Sequence, residues 1–236
     1  MMIALARVWE SLGVRPAAVI GHSQGEIAAA VVAGALTLDD GAKVVALRSQ
    51  ALTAITGSGG MASIPLGPDD TTELLGPWQD HLSIAAHNSP GTTVIAGDSG
   101  ALDELLTHCE EHDIQARRIE VDYASHTHHI EPLRDRILGA LTGVTPRTSE
   151  VPFYSTVTAI ELDTTQATAE YWHTNLRSPV RLYEATRAAL ADGRTTFLEI
   201  SPHPVLAPAL QQTAEQRRAH VAATDHRQVV RHDRRR

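Results

Sequence analysis

The stretch Ala17-Ala-Val-Ile-Gly-His-Ser-Gln-Gly-Glu26 predicts an apolar strand that stops at a tight turn and continues into a helix. Its centre has the pattern G-x-S-x-G, in which glycine on both sides permits the strained backbone that exposes the hydroxyl of Ser23. The helix, from Gln24 to about Gly34, is almost entirely Ala, Ile and Val, so we expect it to be buried. Its N-terminal amides can stabilise an oxyanion at the turn. Ser23 is therefore the predicted nucleophile, although glycine turns also join strand to helix in inert domains.

Length and composition limit the classes of protein that fit. The 236 residues suffice for one large domain or for one domain that carries a smaller inserted one. The chain has no run of about 18 apolar residues, and its first residues lack the features of a signal peptide, so we expect a cytoplasmic protein without a membrane partner. A net charge of -8 argues against nucleic acid as a partner. The lone Cys109 is assigned to the core, and the Arg-rich residues 226–236 are predicted to be a solvated basic tail.

The middle of the chain predicts a second structural unit. Apolar periodicity gives four strands and two helices in the order βαββαβ, which is a ferredoxin-like unit. The strands are predicted at 61–66, 82–87, 92–97 and 115–121, and the helices at 69–76 and 100–112.

The elements on either side of this unit predict a larger α/β region. They are a helix at 3–12, the strand at 17–20, a helix from about 39 to 55, a helix ending near 141, a strand at 151–156, a helix ending near 191 and a strand at 196–200. We predict an α/β fold with a larger catalytic subdomain formed by residues 1–58 and 123–225, and a small ferredoxin-like subdomain formed by residues 59–122. We expect Asp39 and Asp40 to cap the helix that carries Arg48, and spacing alone places this arginine on a solvated surface.

Histidines cluster directly after the small unit, in Asp122-Tyr-Ala-Ser-His-Thr-His-His129. A metal site there is disfavoured, because the cluster lacks an acidic or cysteine partner at metal-site spacing. A serine hydroxyl becomes a good nucleophile only when a neighbouring imidazole takes its proton, which makes His126 the candidate base for Ser23. His203, held between two prolines, is the competing candidate.

Five motifs in order resemble the acyltransferase domain of modular type I polyketide synthases, a relative of the malonyl-CoA:acyl-carrier-protein transacylases. They are GHSQGE at 21–26, RSQAL at 48–52, YASH at 123–126, YWHTNLRSPVRL at 171–182 and EISPHPVL at 199–206. The resemblance covers about residues 1–225. It implies an α/β-hydrolase-like larger subdomain with a ferredoxin-like insertion, which agrees with the pattern of strands and helices.

The resemblance also implies roles for individual residues. Ser23 matches the nucleophile, His126 the general base, and the backbone amide of Gln24 an oxyanion-hole donor. Arg48 matches the arginine that forks onto the free carboxylate of a malonyl-type acyl group. Family members orient the histidine with a backbone carbonyl, and Arg181 matches the position that supplies it. Asn175, in the same motif, is assigned with Arg181 to orienting the histidine.

The implied reaction is a ping-pong transfer in polyketide biosynthesis. Ser23 attacks the thioester of an acyl-CoA, and the acyl group then passes to the phosphopantetheine thiol of an acyl carrier protein. No bound cofactor is implied, and neighbouring synthase domains such as a ketosynthase are the expected partners. Tyr123 and Ser125 belong to the YASH motif of methylmalonyl-selective domains, where malonyl-selective ones carry HAFH. A serine in place of phenylalanine leaves space for a methyl group, which predicts methylmalonyl-CoA as substrate.

Two alternatives remain open. A serine hydrolase, either a thioesterase or an esterase, shares the turn around Ser23 but would require an Asp or Glu partner for the histidine; Asp98 and Asp122 lie in that interval. The second alternative is an inactive acyltransferase remnant. Family domains begin with a G-Q-G-S-Q strand-turn that supplies part of the oxyanion hole, and nothing similar precedes Ser23, so we expect the chain to be truncated by its first βα unit.

Overall fold

The structure, a computed structural model, describes residues 1–218. Its α-helices are α1 Met2–Ser11, α2 Gly25–Val32, α3 Leu38–Leu52, α4 Pro68–Leu74, α5 Ser99–Glu111, α6 Arg134–Ala140, α7 Ala169–Arg177 and α8 Leu182–Ala191. A further helical segment covers residues 207–218. The strands are β1 Val19–Ile20, β2 Gly60–Ile64, β3 Leu82–Ser89, β4 Thr92–Gly97, β5 Arg117–Ile119, β6 Phe153–Tyr154 and β7 Val180–Arg181.

The middle of the chain forms the predicted βαββαβ unit. Its four strands lie in the order β5-β2-β4-β3, and all three pairings among them are antiparallel. Ala62 and Ile64 of β2 pack against Leu102, Leu105 and Cys109 of α5, so Cys109 is a core residue as predicted. The sheet has a fifth strand, because β7, from outside the predicted small subdomain, pairs in parallel with β3.

The larger region surrounds a second core. Strand β1 pairs in parallel with β6, and α2 follows β1 after the turn at Ser23. The predicted burial of α2 is confirmed, since Ile27 and Val31 lie in a cluster with Val44 of α3 and Trp172 of α7. This packing fixes α2 against the helices that carry the other candidate site residues.

Two local predictions are wrong. The cap of α3 is Thr37, whose hydroxyl accepts a hydrogen bond from the amide of Asp40 at 3.0 Å, while Asp39 and Asp40 lie in the first turn. Acidic groups there still interact favourably with the helix dipole. Residues 196–200 form no strand: within residues 1–218 they make no ladder with any of the strands β1–β7.

The side chain of Glu199 has a different role in that segment. Its carboxylate accepts hydrogen bonds from the amides of Val205, Leu206 and Ala207, so it caps the start of the helical segment 207–218. The chain therefore turns back at this point. The predicted basic tail at 226–236, and residues 219–225 of the predicted larger subdomain, lie outside the described residues. Within residues 1–218, none of the helices combines the length and the apolar character needed to cross a bilayer.

Candidate active site

The turn between β1 and α2 places the strain on the serine itself. Ser23 has a φ of 53°, in the left-handed region, whereas neither glycine of the motif has a positive φ. Gly21 is needed for a different reason, because a Cβ atom there would lie 2.2 Å from the amide nitrogen of Glu26. A Cβ atom at Gly25 would meet nothing within 4 Å. The prediction that both glycines relieve backbone strain is therefore corrected: one glycine permits close approach and the other lies in open space.

His126 is the histidine that the fold brings to Ser23. The hydroxyl Oγ lies 2.8 Å from Nε2 of the imidazole, although the two residues are 103 positions apart. The backbone amide of His126 donates to the carbonyl of Leu176 at 2.8 Å, and its φ is 63°. His203, the competing candidate, is exposed in the turn before residues 207–218.

A backbone carbonyl orients the imidazole, and Ser178 supplies it. Nδ1 of His126 lies 2.8 Å from this oxygen, and a carbonyl can only accept, so Nδ1 carries the proton. Nε2 is then the acceptor for the hydroxyl of Ser23. The expectation that Arg181 supplies this carbonyl is wrong. The Arg181 side chain, 42% exposed, donates to the carbonyl of Thr158 at 3.3 Å instead.

The local electrostatics keep the imidazole neutral. Burial, followed by the positive charge of Arg48, lowers the pKa of His126 from its ordinary 6.5 to about 3, and the hydrogen bond to Ser178 opposes this shift. Burial also lowers the pKa of Arg48 to about 10, which still leaves the guanidinium charged at neutral pH. A neutral base thus lies beside a permanent cation.

Arg48 is buried, with only 6% of its surface exposed, and points towards the nucleophile. Its Nη1 donates to Oδ1 of Asn175 at 2.6 Å, and its Nη2 donates to Oγ of Ser23 at 3.2 Å. The surface position that helical spacing alone indicated is therefore wrong. Asn175 contacts this arginine and not the imidazole, so its predicted role in orienting the histidine is also corrected.

A cavity of about 360 Å³ opens in front of these groups. Five of the eight predicted site residues line it: Ser23, Gln24, Arg48, Tyr123 and Ser125. Within residues 1–218, the backbone hydrogen bonds of the turn begin with the amide of Gly25, so the preceding amide of Gln24 has no acceptor of its own. A free backbone amide next to a nucleophile is the kind of donor that stabilises an oxyanion.

Sequence reasoning missed several polar contacts around the cavity. Oγ of Ser125 lies 3.6 Å from Sδ of Met61, so a residue of the small sheet lies behind the YASH motif. Nε2 of His22 lies 2.8 Å from Oδ1 of Asn88, at the end of β3. Each contact joins two residues that are more than 60 positions apart, which leaves no local pattern in the sequence.

One missed residue had a signal in the sequence. Glu26 is the only charged residue in the apolar helix α2, and it is fully buried. A charged group in a helix that is otherwise predicted to be buried indicates a specific partner.

Two groups of residues bear on whether the protein could hold a metal ion. His129, in the histidine cluster, lies 2.9 Å from a carboxylate oxygen of Asp98, so this histidine has an acidic partner that sequence spacing did not reveal. A different group has the residue types and proximity to hold a metal ion: His108 and Glu111 of α5 and His112, which directly follows this helix, have ligand atoms that all lie within 4.8 Å of one another. None of these three residues lines the cavity at Ser23.

The sequence is similar to a known protein family and to parts of longer proteins. The acyl transferase domain family matches residues 1–233. Polyketide synthase GfsA of Streptomyces halstedii is 55% identical over 218 residues, which cover 91% of this chain and 3% of that protein. Erythronolide synthase EryA3 of Saccharopolyspora erythraea is 50% identical over 214 residues, which cover 91% of this chain and 7% of that protein. The chain thus spans a small part of these relatives.

Solved structures agree with the sequence matches. The acyltransferase domain from module 8 of the salinomycin polyketide synthase is 52% identical with a TM-score of 0.89, covering 91% of this chain and 51% of that one. The acyl-carrier-protein S-malonyltransferase of Burkholderia pseudomallei is 26% identical with a TM-score of 0.82, covering 90% of this chain and 71% of that one. Both similarities extend over both the larger region and the βαββαβ unit.

Proposed function

The chain belongs to the acyl transferase domain family, and from that membership we propose that it transfers a methylmalonyl group from CoA to an acyl carrier protein through an ester on Ser23. The observation that carries the proposal is the convergence on Ser23 Oγ of two groups: the Nε2 of His126 at 2.8 Å and the Nη2 of Arg48 at 3.2 Å. The imidazole of His126 can act as the base, and the guanidinium of Arg48 can bind an anionic acyl group.

Acylation begins with the proton of the Ser23 hydroxyl. Nε2 of His126 takes this proton as Oγ attacks the thioester carbon. The new oxyanion accepts a hydrogen bond from the backbone amide of Gln24. When the C–S bond breaks, the imidazolium returns the proton to the departing CoA thiolate. The carbonyl of Ser178 holds Nδ1–H throughout, so the ring keeps one orientation.

Transfer to the acceptor reverses this sequence. The neutral imidazole takes the proton of the phosphopantetheine thiol, whose sulfur attacks the ester carbon. The C–Oγ bond breaks and Ser23 recovers its proton from His126. Each step uses side chains and backbone groups of this chain, and the proposal includes no bound cofactor; acyl-CoA and phosphopantetheine are substrates.

The acyl group is proposed to be methylmalonyl because two features of the cavity fit its two substituents. The guanidinium of Arg48 is planar and charged, which suits paired hydrogen bonds to the free carboxylate. Ser125 lines the same cavity with a small side chain, which leaves room for the α-methyl group. Tyr123 lines the cavity beside it. One methyl group contributes only about 1 to 3 kcal/mol to such discrimination, so some transfer of other extender units is expected.

The proposed partners follow from the relatives. GfsA and EryA3 are polyketide synthases, of which this chain covers 3% and 7%, so we propose an acyl carrier protein and domains such as a ketosynthase as neighbours in a longer assembly. The proposal places the reaction in polyketide biosynthesis.

Intact-protein mass spectrometry tests the proposal. The protein is mixed briefly with equimolar malonyl-CoA and methylmalonyl-CoA, and the Ser23→Ala variant serves as the control. We expect a methylmalonyl adduct on the wild-type protein and none on the variant. An adduct that persists in the variant, or a predominant malonyl adduct, contradicts the nucleophile or the substrate, respectively.

The same experiment separates the alternatives. A hydrolase would release the free acid without accumulating an ester, and an inactive remnant would form no adduct while remaining folded by circular dichroism. Addition of a phosphopantetheinylated carrier protein then tests the second half of the reaction, because the adduct mass should move from this chain to the carrier.

A further inference from the structure

Glu26 is a fully buried carboxylate in the first turn of α2, and it reaches Arg48 and Ser23 through Asn175. Hydrogen-bond donors surround both of its oxygens. The amide and the hydroxyl of Thr156 donate to Oε1, the hydroxyl at 2.8 Å. The hydroxyl of Tyr171 at 2.7 Å and Nδ2 of Asn175 at 2.8 Å donate to Oε2. The carboxylate is therefore held on both oxygens and connected to two other segments of the chain: the one at Thr156, and α7, which carries Tyr171 and Asn175.

A buried carboxylate in an otherwise apolar helix needs a physical explanation. The other buried residues of α2 are Ile27, Ala29, Ala30 and Val31, so an apolar side chain would pack with its neighbours. A buried carboxylate carries a large desolvation penalty that its hydrogen bonds only offset. Burial accordingly raises the pKa of Glu26, while the hydrogen bonds from Tyr171, Thr156 and Asn175 act against this rise. Packing of α2 does not account for this residue.

The carboxylate determines which way the amide of Asn175 points. Nδ2 of Asn175 faces two acceptors, Oε2 of Glu26 and the carbonyl of Ser23 at 3.3 Å. Oδ1 faces a donor, Nη1 of Arg48 at 2.6 Å. A reversed amide would set oxygen against both acceptors and nitrogen against the guanidinium. One orientation therefore satisfies all three contacts.

We infer that Glu26 is a positioning residue for recognition of the acyl carboxylate: through the amide of Asn175 it fixes the guanidinium of Arg48 in the cavity. This inference rests on the proposed function, in which Arg48 binds the free carboxylate of the acyl group. Nη1 is held by Asn175, and the remaining N–H groups are left for the substrate and for Ser23.

The Glu26→Gln variant changes this chain of contacts with little change in volume. The amide N–H of Thr156 cannot turn, so the glutamine oxygen takes the place of Oε1 and its nitrogen takes the place of Oε2. Two NH2 groups would then face each other unless Asn175 turns its amide over. This rotation of the Asn175 amide places its NH2 group against the N–H of Nη1 of Arg48 and so displaces the guanidinium.

The test compares methylmalonyl-CoA with propionyl-CoA, which has the same acyl chain without the carboxylate. The ratio of their kcat/KM values for acylation of Ser23 is measured for each protein. For E26Q we expect this ratio to fall at least about tenfold, through loss of methylmalonyl-CoA activity alone, since hydrogen bonds to charged groups have this magnitude. Labelling of Ser23 by a fluorophosphonate, which has no carboxylate, should stay within about threefold of the wild-type rate.

Two further variants keep the test decisive. Tyr171→Phe removes the other donor to Oε2 and leaves the amide of Asn175 as it is, so its ratio should equal that of the wild type. Equal losses in Tyr171→Phe and E26Q would overturn the inference in favour of a general packing role. Asn175→Ala removes the middle residue of the series of contacts from Glu26 to Arg48, so it should lower the ratio of kcat/KM values as E26Q does. This variant serves as the test if E26Q fails to fold.

The wild-type result separates this inference from the function on which it rests. A wild-type protein that does not favour methylmalonyl-CoA over propionyl-CoA contradicts the proposed function. A wild-type preference that survives in E26Q and in Asn175→Ala contradicts only the role of Glu26.

Discussion

Nδ1 of His126 donates to the carbonyl of Ser178 at 2.8 Å, and this contact determines the chemistry of the imidazole. Because the carbonyl only accepts, the ring presents the lone pair of Nε2 to Ser23. Two residues beyond Ser178, Val180 pairs with Ala86 of β3, so the sheet of the small unit anchors the carbonyl. The ferredoxin-like unit thus helps to position the base.

The pKa of His126 predicts an unusual pH dependence of its reactivity. Burial and Arg48 lower it to about 3, so the base stays neutral down to pH 5. For an ordinary histidine with a pKa of about 6.5, the fraction of neutral imidazole would be about 30-fold lower at that pH. We expect the rate of fluorophosphonate labelling of Ser23 to change less than about threefold between pH 8 and pH 5. A decrease with a midpoint near pH 6.5 contradicts this.

The same shift has a consequence for stability. Between pH 6.5 and pH 3 the unfolded chain binds a proton on His126 that the folded chain excludes. The free energy of unfolding therefore decreases as the pH falls below 6.5. Urea unfolding at pH 7.5 and pH 5.0 measures this decrease, which should be smaller in a His126→Gln variant. The remaining decrease would include His22, whose pKa is also lowered by burial.

Neither candidate acidic residue should be needed for the reaction. A hydrolase triad would place a carboxylate on Nδ1 of His126, but the carbonyl of Ser178 occupies that position. Asp98 is paired with His81 and His129 instead. We expect Asp98→Asn and Asp122→Asn to keep acylation of Ser23 within about threefold of the wild type, whereas loss of a triad acid costs about 10⁴-fold. A loss of that size in either variant would support the hydrolase alternative.

Local patterns predicted most of the fold. The βαββαβ unit was predictable because each strand and helix carries its own apolar periodicity within a few residues, and the packing of Ala62 against Leu102 follows from it. The turn at Ser23 was predictable because its motif is contiguous. Residues 196–200 have the composition of a strand, but a strand also needs a neighbour, and composition does not reveal one.

The contacts of the site were less accessible to sequence reasoning. The carbonyl of Ser178 is a backbone atom, which every residue has, so the motif indicates the region and not the residue. Arg48 and Asn175 are 127 positions apart, and Glu26 and Asn175 are 149 positions apart. Such a network depends on the packing of α2, α3 and α7, which periodicity does not specify.

The role proposed for Arg48 predicts a loss that depends on substrate charge. Arg48→Ala removes charge-assisted hydrogen bonds of about 1.5 to 3 kcal/mol each, so acylation by methylmalonyl-CoA should fall about 100-fold or more. Acylation by propionyl-CoA should change by less than about fivefold. Initial rates of CoA release measure both.

A matched control is available in Arg181. This arginine was also a predicted site residue, but its side chain is 42% exposed and contacts Thr158. We expect Arg181→Ala to leave both rates unchanged. Equal losses with both substrates in Arg48→Ala would show that this arginine supports the nucleophile and not the carboxylate.

The two glycines of the turn should respond differently to the same substitution. In Gly21→Ala the new Cβ atom would lie 2.2 Å and 2.3 Å from the backbone nitrogen and Cα of Glu26. Backbone atoms cannot move aside as a flexible side chain does, so we expect the free energy of unfolding to fall by about 3 kcal/mol or more. Displacement of Glu26 would also disturb Asn175, and labelling of Ser23 should fall with stability.

Gly25→Ala is the matched control for that substitution. Its new Cβ atom meets nothing within 4 Å, and Gly25 is the first residue of α2, where alanine favours the helix. The free energy of unfolding should be unchanged or higher by up to about 1 kcal/mol, with Ser23 labelled at the wild-type rate. Urea unfolding of the two variants side by side measures the difference. Equal destabilisation would mean that the motif requires both glycines for their backbone conformation, which contradicts the φ values of the turn.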